Sequence, residues 1–153
     1  MTYEIATRVV AARALAAVHR EVPAGRASAY WKPALDRVWA LLRRREGPRT
    51  EGHNIFVYHH PASNGVPMEV DFGVEVSDAF EAEDGVDLAH TPSGRVATTR
   101  HIGPYDQIGH AHAAIEAWCR AQGLPLGGVS WEVYGDAGDD PATNEVQVFY
   151  LLA

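Results

Sequence analysis

Cysteine is almost missing from this chain. Cys119 is the only one in 153 residues, so no intrachain disulfide can form and no cysteine-based metal site can be built. A reducing compartment, the cytoplasm, fits that usage. Long apolar runs are also missing. Met1-Thr2-Tyr3-Glu4-Ile5 lacks the basic start and hydrophobic stretch of a signal peptide, and no segment reaches membrane-spanning length, which excludes a membrane partner. Positive charge is scarce too. Thirteen Lys and Arg face twenty Asp and Glu for a net charge of -7, without the basic footprint of a nucleic-acid binder. The densest basic run, Arg43-Arg44-Arg45, falls at the end of a predicted helix, where cations offset the helix dipole. Nor does any glycine-rich phosphate loop precede a helix.

What remains, 46% hydrophobic residues in a chain of ordinary domain size, suffices for one core and a single domain over residues 1–153. Composition leaves Ile5 to Glu21 open between helix and strand. A helix is expected from a Ser28 cap to about Arg45, with Ala34, Leu35, Val38, Trp39 and Leu42 as its apolar stripe and Gly47-Pro48 as its stop. His53 to His60 reads as a strand, Pro61 to Gly65 as a hairpin loop, and Met68 to Val76 as a cleanly alternating strand. The acidic stretch Ser77 to Pro92 reads as a connection. Gly94 to His101 is then a strand and Tyr105 to Gln122 a helix capped by Gly123, with Ile108, Ala111, Ile115 and Trp118 on one side. A strand around Glu132, a loop from Asp136 to Thr143 and a strand from Glu145 to Leu152 complete the chain.

The chain says the same thing twice. Ile55-Phe56-Val57-Tyr58 falls on Trp131-Glu132-Val133-Tyr134 at an offset of 76, and Met68-Glu69-Val70 falls on Asn144-Glu145-Val146 at the same offset. Trp39 meets Trp118 at an offset of 79, and Arg13 to His19 meets Arg95 to His101 at 82. The last match decides that Arg13 to Glu21 is strand. Two strand-helix-strand-strand repeats, at about 13–76 and 95–152, predict an α+β fold whose helices cover one sheet face. The covered faces are expected to carry Ile55, Val57, Val70, Phe72 and Val74 in the first copy. In the second they carry Trp131, Val133, Val146, Val148 and Tyr150.

The strand Val129-Ser130-Trp131-Glu132-Val133-Tyr134-Gly135 holds the candidate site. Alternation puts Glu132 and Tyr134 on one face, a carboxylate beside a ring, which is costly to bury without a cation or donors. Alone, the strand fits an exposed edge glutamate better, since exposed glutamates are the norm. The repeat adds that Glu132 stands where the first copy has Phe56, while Tyr58 and Tyr134 match. On the faces away from the helices, Phe56, Tyr58, Glu132, Tyr134, Glu145 and Phe149 are expected to line a groove between the halves. One carboxylate among several rings suits a hydrophobic aromatic cation, through Coulomb attraction and cation-π contacts of about 0.5 to 2 kcal/mol each.

Arg100-His101-Ile102-Gly103-Pro104-Tyr105, a helix, Trp131-Glu132-Val133-Tyr134, Asp139-Asp140-Pro141 and Glu145-Val146-Gln147-Val148-Phe149-Tyr150 follow in that order. This pattern resembles the GyrI-like small-molecule-binding superfamily, which includes effector-binding domains of multidrug-responsive bacterial regulators of the MerR and AraC types. The resemblance implies a U-shaped antiparallel sheet with two helices on its convex side and a central groove for amphipathic, often cationic, aromatics. It puts the acidic pocket residue on Glu132, the motif tyrosine on Tyr105, and the aromatic wall on Tyr134 and Trp131, although alternation places Trp131 on the helix side. The family's regulators also carry a helix-turn-helix region for which this chain has no room, so a stand-alone binder or enzyme is implied. Some stand-alone relatives hydrolyse cyclopropane-bearing natural products with a groove carboxylate and tyrosine. Here Glu132 would activate water and Tyr105 or Tyr134 would donate to the leaving carbonyl system. Another relative inhibits DNA gyrase by protein contact, a third kind of function.

No cofactor is implied. Among the eight histidines, His110 and His112 diverge on a helix and His59 and His60 alternate on a strand, so no metal site is expected. His19 and His101 are repeat-equivalent and read as structural hydrogen bonders. Gly127-Gly128 reads as a turn, and Cys119 as a buried small hydrophobe.

Overall fold

The computed structural model describes residues 2–23, 26–44, 49–63, 65–135 and 140–153. Eight strands and two helices follow in the order β1 (Ala6–Val10), β2 (Ala14–Val22), α1 (Ala27–Arg44), β3 (Arg49–His59), β4 (Met68–Val76), β5 (Asp87–His90), β6 (Gly94–Ile102), α2 (Ile108–Gln122), β7 (Leu126–Tyr134) and β8 (Glu145–Leu152). The Ser28 side chain, the Gly47-Pro48 stop and the first half of the expected loop, residues 136–139, lie outside the described residues. Gly123, at φ 69°, closes α2 in the left-handed conformation that only glycine adopts without strain.

All strands belong to one antiparallel sheet in the order β1-β6-β8-β7-β3-β4-β2-β5. The two-module α+β architecture expected from the repeat is therefore present. β3 and β7 meet at its centre, with Phe56 directly opposite Glu132. Because these two residues are also repeat-equivalent, the pseudo-twofold axis passes between them. Each central strand carries a register irregularity, with Gly52 at φ 76° and Gly128 at φ 86° in equivalent positions. Gly127-Gly128 thus belongs to a bulge inside β7 rather than to a turn.

β1 and β5 were not legible as strands, and both are exchanged between the halves. β1 precedes β2 in sequence but pairs with β6 of the second repeat, and β5 precedes β6 but pairs with β2 of the first. Their registers obey the repeat: shifting the Ala6–Thr98 pair by 82 positions gives Leu88–Ala16, which is itself a pair.

This exchange curls the sheet. In a flat sheet β1 and β2 would lie six strand spacings apart, about 29 Å. The connection between Val10 and Ala14 reaches only about 14 Å, and the one between His90 and Gly94 is just as short. The two ends of the sheet must therefore approach each other. On the inner side Leu15, Ala17, Ile55, Val57, Val96, Trp131, Val133 and Phe149 join across five strands in one apolar cluster. Gly73 permits this, because a Cβ there would sit 2.5 Å from Leu15 Cδ1 and 2.8 Å from the Ala16 carbonyl oxygen. On the outer side two separate clusters form. α1 covers Ala16, Val18, Phe56, Val70, Phe72 and Val74, and α2 covers Ala97, Val146, Val148 and Tyr150.

The helix-covered faces therefore differ from the expected ones at four positions. Ile55, Val57, Trp131 and Val133 face the inside of the curl. The cause is the register: Phe56 lies opposite Phe72, so it shares the helix side with Phe72, and its neighbours along the strand must face away.

Candidate functional site

Between α1 and α2, on the outer face, the sheet floors a cavity of about 730 Å³. β3 supplies Phe56 and Tyr58 to its lining, β7 supplies Glu132 and Tyr134, and α1 contributes Trp31, Leu35 and Trp39. Tyr105, on the short 3-10 turn leading into α2, stands at the opposite wall with its ring 5.4 Å from that of Tyr134. Five of the predicted residues, Phe56, Tyr58, Tyr105, Glu132 and Tyr134, thus come together.

Three do not. Trp131 and Phe149 lie opposite each other in the register on the inner face, their rings stacked at 5.2 Å, with the Arg8 guanidinium carbon 5.4 Å from the Phe149 centroid. Glu145 sits 3.4 Å from Arg100 and is half-exposed. The groove was expected on the side away from the helices; it lies on the helix-bearing side, which leaves Phe149 and Glu145 on the other face, and Trp131, next to Glu132 along β7, points away from it by alternation.

Glu132 is only 4% exposed. Its Oε1 accepts from Tyr58 Oη at 2.7 Å and from Tyr134 Oη at 2.8 Å, two hydroxyls related by the pseudo-twofold axis. Its Oε2 lies 2.6 Å from His112 Nε2. Burial, and then the negative charge of Glu132, hold the phenols of Tyr58 and Tyr134 well above their ordinary range, so both keep the protons they donate. The contacts continue outward: His112 Nδ1 is 2.8 Å from Tyr150 Oη, which donates to Glu116 Oε1 at 2.9 Å. Burial and the Glu116 charge raise the Tyr150 phenol as well.

His112 was not recognised from sequence as part of the site. A signal was available: it stands four residues after Ile108 and three before Ile115, within the stripe by which α2 meets the sheet, where a polar side chain needs a partner. Trp39, in the α1 stripe, lines the cavity as well as the core. Its indole nitrogen donates to Asn54 Oδ1 at 3.1 Å on the cavity wall. The repeat-equivalent histidines have different settings. His19 lies between Asp71, at 2.7 Å, and Glu69, whereas His101 is fully buried between Tyr3 Oη and the Pro104 carbonyl. Cys119 is buried against the sheet.

A duplicated α+β domain with a largely aromatic cavity around one buried carboxylate defines a small-molecule-binding domain. Residues 1–152 match the GyrI-like small molecule binding domain family, and the chain belongs to that family. The fold recurs in the crystal structure of the EcmrR C-terminal domain (TM-score 0.84, 22% identity, covering 100% of this chain and 99% of that one). It recurs also in SAV2435 bound to tetraphenylphosphonium (TM-score 0.71, 10% identity, 100% and 94% covered). In the EcmrR–DNA complex the match has TM-score 0.81 and 21% identity, and covers 98% of this chain but 57% of that one. No curated protein matches the sequence. No helix among the described residues is long and apolar enough to cross a membrane.

Proposed function

We propose that the cavity binds amphipathic, cationic aromatic molecules, with Glu132 as counter-charge and Phe56, Tyr58, Tyr105 and Tyr134 as the aromatic surroundings, in a stand-alone cytoplasmic domain of bacterial type that captures drugs or effectors. The observation that carries this reading is the burial of a carboxylate at the floor of a 730 Å³ cavity walled mostly by rings. A carboxylate in a water-poor site attracts a cation far more strongly than one at the surface. Rings at the wall add cation-π attraction for a ligand whose charge is spread over apolar groups. The tetraphenylphosphonium held by SAV2435 is a ligand of this type. The test is fluorescence or calorimetric titration with tetraphenylphosphonium. Glu132→Gln is expected to weaken binding by about 30-fold or more, as truncation of a buried charge pair does. Unchanged affinity would remove Glu132 from the site.

A hydrolytic reading has one observation in its favour: Glu132 is surrounded by two phenols and an imidazole, groups able to donate and accept protons. On that reading Glu132 activates water and Tyr134 or Tyr105 donates to the leaving carbonyl system. An electrophilic cyclopropane compound would then be consumed. Its full recovery after long incubation with the native protein removes this reading.

A further inference from the structure

The hydrogen-bond chain through His112 fixes a proton count. Tyr150 has one hydroxyl proton and gives it to Glu116, so His112 Nδ1 must supply the proton in its 2.8 Å contact with Tyr150 Oη. His112 Nε2 and Glu132 Oε2, 2.6 Å apart, need a proton between them, because two lone pairs at that distance repel. Glu132 Oε1 is already occupied by two phenol protons. Counted in this way, His112 and Glu132 share one proton before a ligand enters, and together they carry no net charge.

We infer that His112 is the resident counter-ion of the cavity, and that a cationic ligand binds by exchange, expelling the proton shared between His112 and Glu132. The inference rests on the cation reading above and adds to it a stoichiometry and a determinant of selectivity. The exchange balances: a cation and the protonated pair give the cation held by ionised Glu132, a neutral His112 and one proton released to solvent. His112 keeps its Nδ1 proton on Tyr150, and Tyr58 and Tyr134 keep theirs on Glu132. Without release the incoming charge would face an imidazolium with 19% side-chain exposure, a like-charge contact that costs affinity. A neutral aromatic ligand has no such requirement and leaves the pair intact. Cation and neutral ligand are thus separated by pH.

The groups that face His112 are few. Glu132 stands on β7, Tyr58 on β3 with its ring 6.3 Å away, and Tyr150 on β8 at 5.5 Å. On its own helix Glu116 is reached through Tyr150. His60, just beyond β3, stacks on Tyr150, and its protonation is disfavoured chiefly by burial, which outweighs the opposing charge of Glu116. Asp106 and His53 line the same cavity. Of these, Glu132 alone contacts the Nε2 side directly, which makes their shared proton the one that a cation meets.

Calorimetric titration of the native protein with tetraphenylphosphonium, in phosphate and in Tris at one pH, tests this, since the two buffers differ in heat of ionisation. The expected result is a buffer-dependent heat corresponding to release of up to one proton. Affinity should rise about tenfold per pH unit while the empty pair holds its proton. Triphenylphosphine oxide, a neutral comparator, should give no proton release. His112→Gln keeps a donor to Glu132 without a titrating proton and should bind the cation with no release, about tenfold more tightly at the acid end of the range. Equal heats in both buffers together with a flat pH profile in the native protein would overturn the exchange while leaving cation binding in place. Absence of binding at every pH would remove the cation reading, and the exchange with it. The native protein alone decides the question if the variant fails to fold.

Discussion

The two halves of the domain share one plan and differ at its centre. The first half puts Phe56 beside the pseudo-twofold axis and Trp31, Leu35 and Trp39 above it, so its share of the cavity is mostly apolar. The second half puts Glu132 on the axis and His112 above it, so its share carries the charge. Tyr58 and Tyr134 are the same residue in both, and both reach the same carboxylate oxygen. The difference teaches that a duplicated frame can keep its hydrogen-bond donors symmetric while one substitution on the axis supplies a single acceptor that both halves serve. The cavity is thereby given a polar end and an apolar end.

The largest effect expected from breaking this comparison lies in the core beneath each helix. Phe72 under α1 and its repeat mate Val148 under α2 are both fully buried. Phe72→Ala should cost about 3–5 kcal/mol in chemical denaturation and Val148→Ala roughly 2 kcal/mol, so the first half should tolerate truncation worse. Next come the two tyrosines. Tyr58→Phe and Tyr134→Phe each remove one donor from a buried carboxylate, and each should cost about 1.5–3 kcal/mol. Equal losses would show that the axis is energetically symmetric, and a gap above ~1 kcal/mol would show that His112 or the helices have made the donors inequivalent.

The smallest expected effect concerns the histidine pair. Asp71, and with it Glu69, raises the His19 imidazole above 6.5 against the opposing effect of partial burial. A raised value means that the folded state binds the proton more tightly, so the stabilisation is fully present below pH 6.5 and is lost as pH rises through the folded value. Melting temperature followed from about pH 5 to 8 should decline on the alkaline side in the native protein. That part of the decline should vanish in His19→Gln.

Much of this was legible in the residues. The repeat gave the order of the main strands and both helices, and the replacement of Phe56 by Glu132 pointed to the acceptor of the site. The faces were not legible, for a physical reason. Alternation tells which residues share a face but not which face is covered, and this sheet buries both, one under helices and the other inside its own curl. Apolar Ile55, Val57, Trp131 and Val133 were therefore assigned to the helices although they fill the interior. Phe149 and Glu145 left the cavity by the same inversion, whereas Trp131 lies off it because alternation sets it on the face opposite Glu132. β1 and β5 escaped notice because each is short and paired with the opposite repeat, so no local pattern announces it. His112 lies in the α2 stripe between Ile108 and Ile115, and with only one polar residue there the helix pattern still reads as apolar.

The crossed edge strands have a consequence for how the molecule is held together. Each half of the chain, β1 to β4 or β5 to β8, lends its first strand to the other, so neither can complete its own sheet when separated. Residues 2–76 expressed alone would leave β2 without β5 and give β1 no partner, and residues 77–153 would suffer the mirror-image loss. The halves are clasped like two hands at their edges, in addition to the β3–β7 pairing that floors the cavity where they join.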